Sequence, residues 1–460
     1  MSTIPLRTAR PKATALDLGS QASRNASKTR SPKQVCLRLH YGLSPLLWVA
    51  PLVCASGGLT GAWAQGVLAP PPPDFAGMPP ELRITGPNQP GEMPPIMRPA
   101  GANEPLGQIG PVELRPHLLY RFLYGDGVPV RPGENLTTAI NELYPGILLN
   151  LGSHWAVDYT PVLRFYSNNQ FRNATDQAAR LDGSAVYREW TFGLSQSYAL
   201  TSDPLVETGG QTEEAVYSTV LRALYQLSTS TSLELSAHQD FRLMGQNPAL
   251  PALSDSRRWS TLDWLDYRFG PSLTAGIGAG FGYDSVSPGT DMTFEQPQVR
   301  ATWRPGEKLS ILAAAGVEVR QFLGADVSDA VNPIFGVTAS YQLFEATALS
   351  LAAARAVAPA YFNNELTVDT TVSGGLRQRL LKHFYLDVRG GYWFTSYSAT
   401  AGGLDVNRQD NGTFFNVSLN TRFLKRGNAA VFYQYTENSS NEADFTFSGS
   451  QVGAELGYHF

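Results

Sequence analysis

The chain closes with Gln451-Val452-Gly453-Ala454-Glu455-Leu456-Gly457-Tyr458-His459-Phe460. Val452, Ala454, Leu456, Tyr458 and Phe460 place apolar side chains on one face, while Gln451, Gly453, Glu455, Gly457 and His459 share the other. Successive residues of a strand point to opposite faces, so this period of two predicts a strand with one apolar and one polar side. The same pattern recurs upstream. Leu273, Ala275, Ile277, Ala279, Phe281 and Tyr283 alternate with Thr274 and four glycines. Val299, Ala301 and Trp303 alternate with Gln298, Arg300, Thr302 and Arg304; Phe415, Val417, Leu419 and Phe423 alternate with Asn416, Ser418, Asn420 and Arg422.

Three features separate this alternation from that of a soluble sandwich. The segments run to about ten residues or more, against the roughly five or six of a typical soluble strand. Aromatic residues gather near the segment ends, as they do at the two interfaces of a membrane barrel. The connections alternate between short and long. Short turns are expected at Gly152-Ser153, Arg188-Glu189, Ser228 to Thr231, Gly270-Pro271, Pro305 to Glu307, Phe344 to Ala346, Lys382-His383 and Lys425 to Asn428. Longer loops are expected near 126–138, 167–176, 201–213, 243–256, 286–292, 323–331, 359–364, 397–412 and 438–446. Reading Arg188-Glu189 as a turn keeps the two sets in step. Residues 111–460 then make an all-β transmembrane antiparallel up-and-down β-barrel of about 18 strands (16–18), an even number as single-chain bacterial barrels have. Residues 243–256 and 397–412 are the longest stretches available for folding into the lumen.

Composition agrees. Of 460 residues only 16% are charged, 11% are aromatic and 43 are glycine. Cys36 and Cys54 are the two cysteines, which excludes a disulfide scaffold and a multi-cysteine metal or iron–sulfur site. A net charge of -4 gives no footprint for nucleic acid. Residues 1–64 read as a signal peptide. Eight basic residues precede an apolar stretch from Leu43 to Leu59, and Ala62-Trp63-Ala64 supplies the cleavage site at Ala62 and Ala64. Residues 65–110 carry Pro70 to Pro73, Pro79-Pro80 and Pro94-Pro95 and read as a disordered periplasmic tail with room for a periplasmic partner. Sec-type export and the barrel together place the expected location in the outer membrane of a Gram-negative bacterium, against lipid and lipopolysaccharide.

The inward faces carry the charge. Arg300, Arg304, Arg320, Arg377, Arg389, Arg422, Asp369, Asp387, Glu318 and Glu455 are the pore-lining candidates. A charge facing lipid mid-bilayer costs about 2–4 kcal/mol for Arg or Lys, so a charged inner face is imposed by the solvent. Asp369, Arg377, Asp387 and Arg389 lie on neighbouring strands and form a candidate set. Trp393, Tyr385 and Phe432 fall on the inward phase, where rings can stack on sugars. No G-x-S-x-G, Walker A or H-E-x-x-H sequence occurs, and the five histidines after residue 64 suggest no catalytic constellation. The chain is therefore expected to have no catalytic residue, no cofactor and no metal site.

Two resemblances add to this reading. Leu456, Tyr458 and Phe460 at alternate positions of a terminal strand resemble the signal read by the barrel-assembly machinery. Ser195-Gln196-Ser197-Tyr198, followed by Thr201-Ser202-Asp203-Pro204-Leu205-Val206-Glu207-Thr208-Gly209-Gly210-Gln211-Thr212-Glu213, is similar to the second quarter of an outer-membrane β-barrel porin family. That resemblance implies a porin-like pore for passive diffusion of small hydrophilic solutes. For some members it implies service beside exopolysaccharide export, as a plugged or structural barrel. It implies no catalytic or ligand residues.

Overall fold

The computed structural model describes residues 107–460, except 132, 153, 246–252 and 425. The signal peptide and most of the proline-rich tail lie outside the described residues.

The chain runs β1 (Gly107–Ile109), β2 (Val112–Arg131), β3 (Glu134–Leu151), β4 (Trp155–Tyr166), β5 (Ala174–Tyr187), β6 (Trp190–Thr201), β7 (Pro204–Leu205), β8 (Gly210–Gln211), β9 (Glu214–Gln226), β10 (Thr231–Met244), β11 (Asp255–Arg268), β12 (Leu273–Ser287), β13 (Met292–Trp303), β14 (Leu309–Phe322), β15 (Ala330–Phe344), β16 (Thr347–Pro359), β17 (Glu365–Leu380), β18 (Phe384–Ala399), β19 (Gln409–Phe423), β20 (Gly427–Ser440) and β21 (Phe447–His459). β2 to β6 and β9 to β21 are the wall, and each pairs antiparallel with its sequence neighbours. β2 also pairs with β21, Arg121 opposite Glu455, which closes the cylinder at 18 strands. Closure leaves no wall strand as a free edge. The short β1 pairs with the start of β2, at the end where the turns lie.

The wall is inverted relative to a soluble protein. Ile277, Phe281, Val299, Leu351, Val431 and Leu456 stand exposed on the outer face, while Arg121, Glu142, Asp284 and Arg320 are buried on the inner one. The eight turns, two to five residues long, fall at one end; the nine connections at the other end run from two residues after β2 to twelve after β6. At the turn end Arg188 takes a positive φ of 53° between paired Tyr187 and Trp190, so the chain reverses in two residues there. This turn keeps the strand count even.

One expectation is corrected. The stretch 126–138 is not a loop: β2 and β3 continue through it as a hairpin, with register shifts between Gly125 and Val128 and between Pro129 and Arg131. Gly127 sits at φ 68°, and a Cβ there would lie 2.1 Å from the Ser448 carbonyl oxygen, so the glycine marks a close crossing onto β21. The Gly and Pro residues that suggest a loop instead mark irregularities in a paired arm.

A second departure lies in the wall itself. Asp263 takes the outward phase of β11, four residues from Trp259 and four from Tyr267, both exposed. Its Oδ1 accepts from the Ser236 amide at 3.1 Å, and the Ser236 hydroxyl donates to the Leu262 carbonyl at 2.5 Å. Two rungs of the β10–β11 ladder are missing there, and these side chains take their place.

Candidate functional site: the lumen and its infolded loop

The inner wall is built in layers. Phe294 lies flat against Gly282 on the next strand, where a Cβ would sit 2.1 Å from the ring. The Arg320 guanidinium stacks over Phe294 at 4.9 Å and that of Arg258 at 5.2 Å. The same order of glycine, ring and arginine recurs. Phe432 covers Gly453 and carries Arg121 at 5.0 Å; Trp264 covers Gly278 and carries Arg300 at 4.4 Å. Glycine lets the ring reach the backbone, and the ring's face then supports a cation.

These arginines are also paired with carboxylates. Asp284 accepts from Arg258 at 2.6 Å and from Arg320 at 2.7 Å, and Arg320 also donates to Glu318 at 2.7 Å. Arg300 donates to Glu234 at 2.7 Å and pairs with Asp266. Arg121 bridges Glu455 at 3.1 Å and Glu142 at 3.6 Å. Arg377 pairs with Asp387 at 3.0 Å, and Asn420 donates to that carboxylate at 2.8 Å.

Of the set suggested by neighbouring strands, the structure brings Arg377 and Asp387 together. It places Asp369 nearer the loop end, accepting from the Thr395 hydroxyl at 2.6 Å. Arg389 lies 6.0 Å from the Phe414 ring. Arg304 and Arg422 are exposed, at the turn end of β13 and β19. Trp393 and Phe432 are buried, with Trp393 lying against Gly412 and near Phe414.

The feature that alternation does not reveal is the connection 202–213. Asp203, Leu205, Val206, Glu207, Thr208 and Thr212 are all buried. The β7–β8 hairpin is held internally by Thr212 N–H to the Asp203 carbonyl at 3.1 Å, by the Thr208–Thr212 hydroxyl pair at 2.7 Å, and by a turn with Gly209 at φ 67°. Its outside anchors come from all round the wall. Asp203 forms an ion pair with Arg164 of β4, which also pairs with Glu142 and Asp176. Leu205 packs with Met244, Leu253 and Tyr361, the last from the β16–β17 connection. Val206 packs on Phe447 of β21. Arg408, from the β18–β19 connection, donates to the Glu207 carbonyl at 2.9 Å and clasps Asp410 through two nitrogens.

The β16–β17 connection is nearly diametrically opposite β6 and β9 in strand order. A loop leaving β6 and packing on Tyr361 therefore crosses the lumen. Other loops seal onto it. Leu253 bridges Phe362, Ser254 N–H donates to the Tyr361 carbonyl at 2.8 Å, and Arg242 stacks over Tyr361 at 4.0 Å while donating to the Ala360 carbonyl at 2.6 Å. Of the two stretches expected to fold inward, 243–256 meets the crossing loop through Met244 and Leu253, and 397–412 through Arg408.

No protein-family model and no curated protein matches the chain. By structure it is similar to Pseudomonas aeruginosa OccK2 (OpdF), crystallised with glucuronate, at 10% identity and TM-score 0.42, over 75% of this chain and 98% of that one. It is similar to Pseudomonas aeruginosa OpdO at 15% identity and TM-score 0.40, over 75% and 97%. The corresponding figures for Acinetobacter baumannii OccAB3 are 8% and 0.39, over 75% and 99%. The assignment as a closed 18-stranded antiparallel barrel rests on the strand pairing itself.

Proposed function

We propose that the protein is an outer-membrane channel for small hydrophilic solutes, narrowed at its loop end by residues 202–213. The single observation that carries this reading is the buried loop laid across a lumen whose walls are polar and whose exterior is apolar. Eighteen strands enclose enough space for an aqueous path. A loop spanning that space divides it and sets the narrowest passage. Arg300, Arg320, Arg377, Arg389, Asp369, Asp387, Glu318 and Glu455 act as the wall of that path, chiefly as fixed pairs that keep it polar. Arg304 and Arg422 stand at its turn-side opening.

The number of anchors on the loop favours a second reading. Arg164, Arg408, Tyr361 and Phe447 hold it from separate parts of the wall. Held this firmly, the loop makes a plug, and the barrel then serves as a scaffold beside an export system. Single-channel recording on refolded residues 65–460 in a planar bilayer separates the two. Stable conductance steps support the channel. A folded barrel that gives no steps, and gains them once the loop is cut back, supports the plug.

A further inference from the structure

At four places on the outward phase of the wall, polar side chains bond to one another. The Tyr120 hydroxyl donates to Asn141 at 2.7 Å, Arg355 to Thr370 at 2.8 Å, the Thr293 hydroxyl to Gln321 at 2.8 Å and the Tyr392 hydroxyl to Asn411 at 2.5 Å. The neighbouring strands β6, β9, β10 and β11 depart from this. Gln196, Thr219 and Gln239 stand opposite one another in the ladder, and Thr261 and Asp263 follow on β11. They share the phase of exposed Phe192, Leu221, Leu235 and Trp259, so they face outward. Among the described residues, the side chains of Gln196, Thr219, Gln239 and Thr261 have no hydrogen-bond partner, and Asp263 uses Oδ1 alone, on the Ser236 amide.

Their depth is set by the aromatic residues. Gln196, Thr219, Gln239 and Thr261 each lie two residues toward the turn end from Tyr198, Tyr217, Phe241 and Trp259. These rings touch in pairs, Tyr198 with Tyr217 at 4.8 Å and Phe241 with Trp259 at 5.1 Å. Aromatic girdles mark the membrane interface, so the polar row lies just inside the apolar band, with Asp263 midway between Trp259 and Tyr267. Lipid tails cannot bond to an amide, a hydroxyl or a carboxylate, and leaving such groups against hydrocarbon is costly.

The row is complementary to itself. Glutamine and threonine both donate and accept, whereas an ionised aspartate only accepts. A second copy beside the first, in the same membrane orientation, is related to it by a two-fold axis along the membrane normal. An axis between β9 and β10 sets β9 against β10 of the other copy and β6 against its β11. Thr219 then meets Gln239, and the Gln196 amide brings a donor to Asp263, each contact occurring twice as an isologous interface requires. A three-fold ring needs two different surfaces, and these five residues form one patch on adjacent strands.

We propose that the outer face of β6, β9, β10 and β11 is the docking surface for a second copy of this chain, making a two-fold dimer within the membrane. The dimer leaves the two lumens separate, so the face serves whether or not the pore conducts. Ala237, outward on β10 and opposite Leu221, lies at the centre of the contact, where its small side chain lets the walls approach.

Sedimentation equilibrium of the full chain, extracted from bacterial outer membranes into density-matched detergent, tests this. The native barrel is expected at the mass of two copies. Q196L/T219V/Q239L/T261V removes the bonding groups while suiting lipid, and is expected to weaken association at least tenfold. A237W is expected to do the same by bulk. T413V, on the outward phase of β19, is the control and is expected to stay dimeric. Circular dichroism checks that each variant keeps its sheet. A second readout needs no loss of association: in a C36S/C54S background, Q239C is expected to cross-link between copies with a short bismaleimide, and T413C is not. A native monomer overturns the proposal, as does an assembly of three or more copies or a dimer that survives both the fourfold variant and A237W. Equal weakening by T413V, or equal cross-linking through T413C, overturns the placement of the face. If the fourfold variant fails to fold, A237W and the cross-link decide.

Discussion

The two ends of the barrel solve the same problem in opposite ways. At the turn end, connections are two to five residues long, and Arg188, Lys308, Arg379 and Lys382 stand in solvent. At the loop end, Asp203, Glu207, Arg242 and Arg408 are buried and held by partners from distant strands. An exposed charge is screened, and its removal shifts stability by little. A buried charge persists only where hydrogen bonds and counter-charges replace the water it lost. The turn end is therefore built to tolerate change, and the loop end is an interlocked unit that fails together.

The sharpest way to break this contrast is to remove the crossing loop. Replacing residues 204–211 with a short Gly-Ser linker takes away the β7–β8 hairpin and the contacts of Leu205, Val206 and Glu207. Single-channel conductance is expected to rise severalfold. Lengthening the 227–230 turn by the same linker is expected to leave conductance unchanged. Equal conductance in the native and shortened barrels would show that the passage is set elsewhere.

A smaller effect separates buried from exposed arginine. R408Q removes the clasp on Asp410, the bond to the Glu207 carbonyl and the stacking over Tyr397 and Phe445. Breaking a buried ion pair costs about 3–5 kcal/mol. That loss is expected to appear as faster hydrogen exchange of the 202–213 amides. R304Q at the turn end is expected to fall within about 0.5 kcal/mol of the native barrel in urea unfolding. A barrel in which R408Q leaves exchange at 202–213 untouched would show the clasp to be incidental.

Much of the wall was legible because period two is a local signal. Each strand announces its own faces, and Arg188-Glu189 preserves the alternation of turns and loops that gives 18 strands. The 126–138 arm misleads for an equally local reason. Gly125, Gly127, Pro129 and Gly133 signal a loop, although tertiary pairing carries the hairpin through them. The crossing loop was illegible on other grounds. Asp203, Glu207, Thr208 and Thr212 look like solvated loop residues, and Arg408, which anchors Glu207, lies 201 residues further along the chain. Alternation assigns Arg377 and Asp387 to the same face, and the register then makes them partners. It cannot distinguish Arg300, paired at the waist, from Arg304, exposed four residues further along the same face. Facing is written in the sequence period, whereas pairing depends on neighbours that only closure brings together.

The finest test of the contrast between the ends is acidity. Burial, and next the Asp369 carboxylate, push the Glu207 carboxyl up to about 8, against the pull of Arg242 and Arg408, with Asp410 adding to the rise. The seated loop thus favours the neutral acid. A folded value raised above that of the unfolded chain contributes stability in full below the unfolded pKa, and that stability is lost as pH rises through the folded one. Protection of the amides around Glu207 is therefore expected to fall as pH rises through about 8. Any loop-limited conductance is expected to rise over the same range. E207Q keeps the carbonyl that Arg408 binds and removes the titrating proton, so it is expected to flatten both profiles. A pH profile that survives E207Q would assign the titration to another group at the loop end. A profile that survives removal of the whole crossing loop would place it outside that end, and the two mouths would then not be the independent devices their contacts describe.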